Sequence, residues 1–303
     1  TPFSYIGNVP DKDLFSWGKN AIKEAFELAN TEKFDLFHSI CMPCSSHIVA
    51  YEIKKRLHIP WIAQFYDPWS GNPFRILKGR RMQQMDQLME YMVAKNADLI
   101  IHPCDVMIEH WTALYGDVVK NKLTILPFIT EIPEKTVREK DVDKLIISHI
   151  GSFSSNRNAS VFIQALTKLD KSVRQRIKVN FVGNVTEEDT KLIIQHKLQN
   201  TIMFLIVDID CSPNLFYPSK ILKYFCYQKP ILGITTEQSV VRDELKKTGN
   251  YPFCYDDIVG ISSFLTKAVE DYPSICINDI HYGERFLKDN VINQYSKLVA
   301  RLG

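Results

Sequence analysis

Short apolar runs alternate with amphipathic stretches along almost the whole of this chain, and that alternation constrains its fold more than any other feature. A strand, a helix laid on its face and a second strand parallel to the first is the unit such a pattern builds, so the chain reads as α/β with parallel sheets. "FDLFHSI" (34–40), "WIAQF" (61–65), "DLIIH" (98–102) and "LTILP" (123–127) read as strands, with helices predicted over 47–57, 80–95 and 105–115. The helical stretch "WGKNAIKEAFELAN" precedes the first of them. "ITEIPEKTVREKDVDK" (129–144), charged and bearing a proline, then reads as a linker.

A second series follows, with strands at 144–150, 177–183, 204–208 and 230–234 and helices at 159–169, 187–198, 219–227, 240–247 and 257–270. The last stretch, "GERFLKDNVINQYSKLVARLG", has helical spacing and no strand after it. With 303 residues, two domains are expected, each large enough to bury a core. Two places read as too thin. "TIMF" passes straight into "LIVD" with no crossover between them, and one helix alone precedes the first strand. Residues are expected to be lacking at both.

Composition limits the function classes. Hydrophobic residues make up 45% and charged residues 24%, as in ordinary soluble proteins. No apolar run approaches the roughly 18–20 residues of a membrane span, and the N-terminus lacks a signal-peptide layout, so a cytoplasmic address is expected. A net charge of +2 is too small to argue for nucleic acid. Seven scattered cysteines, mostly inside apolar runs, suit a reducing compartment.

Four constellations carry possible chemistry. In "NLFYPSKILKYFCYQKPILGI" (214–234), Ser219 and Lys220 open a short helix, where backbone N–H groups, a capping hydroxyl and a full positive charge suit a phosphate. A capped helix with a solvated lysine is the plainer alternative. In "HIGSFSSNRNAS" (149–160), Gly151 allows close backbone approach and Arg157 offers a bidentate fork. "AQFYDPWSGNPF" (63–74) puts Asp67 at a strand end, with Trp69 and Phe74 as flat surfaces for a sugar or base, or alternatively as core aromatics beside a turn aspartate. "VDID" (207–210) imitates a metal motif, although paired carboxylates at strand ends are common. "CMPC" (41–44) has redox spacing but is read as packing, and His38, His47 and His102 are read as structural residues near strand ends.

"HIGSFSSNRNASVFIQAL", "DIDCSPNLFYPSKILKYFCYQKPILGI" and "IPWIAQFYDPWSGNP", taken together, resemble bacterial family four glycosyltransferases of polysaccharide assembly, enzymes with the two-domain GT-B fold. The likeness runs from about Asp13 to the C-terminus, and the Pro-Ser-Lys block is its most specific part. It implies two Rossmann-like domains facing a cleft: an acceptor-side domain over 1–130, a nucleotide-sugar domain over 131–283, and a closing helix over 284–303 that packs on the first domain. It also implies that the Gly151–Ser152 loop, Ser219, Arg157 and Lys220 face the donor diphosphate without a metal, a UDP-sugar being favoured.

Two positions depart from the pattern. Lys223 stands where many members have a ribose-binding glutamate, and Asp67 falls near the place of a histidine that follows the first-domain strand. The first strand and the Gly-rich acceptor loop usual in the family are not visible. The expected activity is retaining sugar transfer to a surface-glycan or lipid-linked acceptor, with Asp67, Lys220 and Arg157 as catalytic residues and peripheral contact with the inner face of the membrane. The alternatives are a degenerate homologue that binds nucleotide sugar or supports a partner subunit, a nucleotide-sugar epimerase, and a two-lobed binding protein.

Overall fold

The structure is a computed structural model that describes residues 17–70, 72–75, 79–131, 144–154, 156–183, 203–275, 279 and 281–302. Most of the expected linker, the helix expected at 187–198 and Cys276 lie outside these residues. The chain forms two compact units, one of Thr1–Pro127 with Val291–Gly303 and one of Phe128–Asn290.

In the first unit, strands β1 (Phe37–Ile40), β2 (Trp61–Gln64), β3 (Leu99–His102) and β4 (Leu123–Ile125) lie side by side in that order, all parallel. Helices α1 (Lys19–Thr31), α2 (Ser45–Leu57), α3 (Arg80–Asn96) and α4 (Asp105–Tyr115) accompany them. Alternate residues of β2 point to opposite faces. Trp61 and Ala63 join Met89, Val93 and Trp111 in one core, while Ile62 packs with Leu99, Ile101 and Leu126 on the other. The chain's last helix supplies Val291 and Leu298 to that second core. Burial on both faces is why β2 and β3 read as nearly continuous apolar runs rather than alternating ones.

In the second unit, β5 (Leu145–Ile150), α5 (Ser160–Lys168), α6 (Lys171–Gln175) and β6 (Ile177–Val182) lead to β7 (Met203–Val207) and α7 (Lys220–Cys226). β8 (Ile231–Ile234), α8 (Val240–Lys247), β9 (Tyr251–Phe253), α9 (Ile258–Glu270) and α10 (Lys288–Val299) complete the chain, α10 entering the first unit at Val291. The parallel sheet has the order β6-β5-β7-β8-β9. Leu145, Ile147, Leu205, Val207, Leu232 and Ile234 bury one face beneath Phe162 and Leu265.

Two sequence expectations are corrected here. The junction of "TIMF" and "LIVD" lies within one continuous strand, β7, buried from Met203 to Val207, so no crossover is lacking between them. β9 was not foreseen, because three residues containing Pro252 carry little strand signal, and proline is tolerated there because the strand lies at the sheet edge.

Candidate functional site

The strand order of the second unit places the site. From β5 the chain moves outward to β6, then returns to the other side of β5 to form β7, so the direction of winding reverses between β5 and β7. At such a switch point the connections diverge and leave a crevice outside the carboxyl ends of the two strands. His149 and Gly151 lie at that end of β5, and Asp208 directly follows β7.

Gly151 has φ +129°, a conformation L side chains rarely adopt, and a Cβ built there would collide with the Lys220 Nζ. Its N–H is already donated to Val182 O at 2.7 Å, so the glycine opens space for the lysine rather than offering an amide to a ligand. Tyr224 fixes the spacing. It is buried in α7, stacks on Phe204 at 4.3 Å between centroids, and accepts the Ile150 N–H at 2.9 Å. The start of α7 is thereby tied to the end of β5.

Lys220 is held between the two. Burial, then the neighbouring Arg157 charge, push its pKa down to about 8, and Asp208 opposes them. Among the described residues neither Lys220 nor Arg157 has a salt-bridge partner, and Arg157 Nε is buried without a hydrogen bond. Two cations that feel each other's charge, neither held in a salt bridge, favour an anion that joins them. Asp208 answers the two cations only in part: its charge is felt by both, but it forms a salt bridge with neither. It is fully buried, Ser239 Oγ donates to its Oδ2 at 2.6 Å, and burial raises its pKa to about 6.

A cavity of about 500 Å³ opens here, lined by Gly151, Ser152, Ser219, Lys220 and Lys223 together with Ile129, Thr130, Ile150, Tyr224 and Tyr227. Five of the expected residues thus share one cavity. Arg157 lies outside this lining, yet close enough for its charge to be felt at Lys220. Ser219 differs from expectation: its side chain makes no capping hydrogen bond, because the residue is itself in the helical region at φ −55°, ψ −26°. With no cap and only seven residues, α7 contributes the lysine more than it contributes a helix end.

Asp67 belongs to the first unit, just beyond β2, half-buried and with its pKa raised by burial. Trp69 is not a platform for a sugar. It is 1% exposed, and its Nε1 donates to Asp86 Oδ1 at 2.7 Å. Arg75 holds the same carboxylate at 2.8 Å. Phe74 does remain exposed. Cys41 and Cys44 are buried with sulfurs 3.1 Å apart, and burial and the mutual hydrogen bond push the Cys44 thiol up, away from reactivity. Among the described residues no group of three or more His, Cys, Asp or Glu is placed to hold a metal, and no helix is long and apolar enough to cross a membrane.

His149 was not singled out from the sequence. A histidine beside Ser148 within the otherwise apolar run "KLIISHI" is the available signal, and strand reading passes over it.

Several solved structures share this architecture. Alr3699/HepE of Anabaena in complex with UDP matches with a TM-score of 0.68 at 9% identity, over 96% of this chain and 85% of that one. The same protein with UDP-glucose matches at 0.64 and 11% identity, over 94% and 82%. The lipopolysaccharide outer core galactosyltransferase WaaB, in its apo form, matches at 0.63 and 13% identity, over 95% and 81%. The fold is GT-B. No protein-family model and no curated protein matches the sequence, so the likeness is one of architecture. Within this GT-B chain, the switch-point cavity and its cations belong to the second unit alone.

Proposed function

We propose that the chain is a glycosyltransferase that takes a sugar from a nucleoside diphosphate sugar, UDP-sugar being favoured, and passes it with retention to a surface-glycan or lipid-linked acceptor. The observation that carries this reading is Lys220 and Arg157 beside the switch-point cavity, neither of them held in a salt bridge among the described residues. As the bond from the anomeric carbon to the β-phosphate oxygen breaks, the diphosphate departs with the electron pair, the acceptor hydroxyl oxygen bonds to the anomeric carbon, and its proton passes to the departing phosphate. Lys220 and Arg157 stabilise that charge, which is why no metal is required of the site. The neighbours bound to UDP and UDP-glucose support the choice of nucleotide. Asp67, in the other unit, positions the acceptor. Work at the inner membrane face would then be peripheral.

A thermal-shift panel with UDP, GDP, ADP and dTDP tests the donor site. A ligand at 100 times its Kd stabilises the fold by about 2.7 kcal/mol. UDP should raise the melting temperature of the wild type but not of Lys220→Met; no shift with any nucleotide would remove the donor-site reading. Lys223 motivates one rival. An ammonium on the cavity wall cannot accept hydrogen bonds from ribose hydroxyls, which favours a degenerate homologue that binds nucleotide sugar or supports a partner subunit. Nucleotide binding with no turnover of any UDP-sugar would select that rival.

A further inference from the structure

His149 is an unusual residue to find in the middle of a parallel sheet. It is fully buried on β5, stacked on Phe153 at 4.5 Å between centroids. Its Nδ1 lies 3.0 Å from Leu205 O, which only accepts, so Nδ1 carries the proton and Nε2 is left as a bare lone pair. That Nε2 has no hydrogen-bond partner among the described residues. It borders the same space above Gly151 that the Lys220 Nζ occupies, 3.9 Å from where a Gly151 Cβ would stand.

Resting on the donor-site reading, we propose that His149 is a positioning residue for Lys220: its neutral imidazole offers Nε2, unpaired in this structure, as an acceptor the ammonium can take up as it turns toward the diphosphate, without being neutralised. A carboxylate in this place would pair with the lysine and compete with the incoming phosphate. A hydrocarbon would leave the ammonium with less solvation and favour its deprotonated form. Neutral imidazole avoids both. The other charged groups acting on Lys220 are Arg157, which disfavours its charge, and Asp208, which favours it. Burial, then the charges of Lys220 and Arg157, lower the His149 pKa to about 4 and hold it neutral, against the backbone of Leu205 and Gly151, which raises it.

Two variants separate this role from mere packing. His149→Phe keeps the ring and its stack but removes the acceptor, while His149→Gln keeps an acceptor. If the lysine's pKa falls by one unit from about 8, its charged fraction at about pH 8 drops roughly fivefold, while at about pH 6 it barely changes. UDP affinity, taken as the ratio of variant to wild type at each pH so that the ligand's own ionisation cancels, should fall about fivefold at the higher pH and stay within about 1.2-fold at the lower. His149→Gln should restore most of it.

The ligand-free protein gives an independent readout. With Cε-labelled lysine, the Lys220 titration should move down in His149→Phe, and ring 15N shifts of the wild type should show Nε2 unprotonated. A loss of affinity equal at both pH values, or a Lys220 titration unmoved in His149→Phe, overturns the proposal. So does a protonated Nε2, which is read on the wild type even if a variant fails to fold. Wild type that fails to bind UDP would overturn the donor-site reading, while the ligand-free titration still decides whether His149 sets the state of Lys220.

Discussion

Replacing Lys220 with methionine should make the ligand-free protein more stable while abolishing nucleotide binding. The lysine's pKa falls from 10.5 to about 8 on folding, mainly through burial. At about 1.36 kcal/mol per unit, a fall of roughly 2.5 units means that folding opposes the ammonium by about 3 kcal/mol at neutral pH. The side chain is only half-buried, so screening reduces this to about 2 kcal/mol. Methionine keeps the apolar stem and removes the charge. A gain of that size corresponds to roughly 4–8 °C in the Tm of a unit of this length. The sign is set by linkage: between about pH 8 and 10.5 the unfolded chain binds more protons than the folded one, so wild-type stability recovers as pH rises through that window. Urea denaturation of wild type and Lys220→Met at about pH 7, 9 and 10.5 should show a gap that is largest at pH 7 and closes by the last. A variant less stable than wild type at pH 7, or a gap that does not change with pH, would refute the claim that folding disfavours the charge on Lys220.

Gly151→Ala should cost about 1–3 kcal/mol through its φ of +129° and should weaken UDP binding by displacing Lys220, both readable by thermal shift with and without nucleotide. Glu90 is buried, with Ser70 and Tyr115 donating to it, and burial raises its pKa from 4.5 to about 7. Folding therefore favours its protonated form, and the wild type should lose up to about 3 kcal/mol as pH rises from about 4.5 to 7, a decline that Glu90→Gln should abolish in chemical denaturation. Trp69→Ala should destabilise the first unit by about 3–5 kcal/mol, as the loss of a core aromatic does, and leave UDP affinity unchanged in the folded fraction.

What the sequence determined by itself is the class of fold and the identity of the cations. Runs such as "KLIISHI" and "FLIVD" are largely apolar without a strict alternation because their strands are covered on both faces, and such runs at helix-length intervals are the mark of parallel α/β sheets. Lys220, Gly151 and Ser152 were legible because each follows a strand or opens a helix in the same half of the chain, and they do share one cavity. Strand order was not legible, since periodicity reports which face a residue takes and says nothing of which strand lies beside it. Only the tertiary structure showed that β7 returns to the far side of β5, and that reversal is what makes a crevice of their carboxyl ends. It also decided Trp69 and His149 in opposite directions. The flat surface expected to meet a ligand is 1% exposed against Asp86, while a histidine inside a strand leaves its Nε2 unpaired beside the space the Lys220 ammonium occupies. Burial and pairing depend on residues far apart in the chain, and no local pattern carries that information.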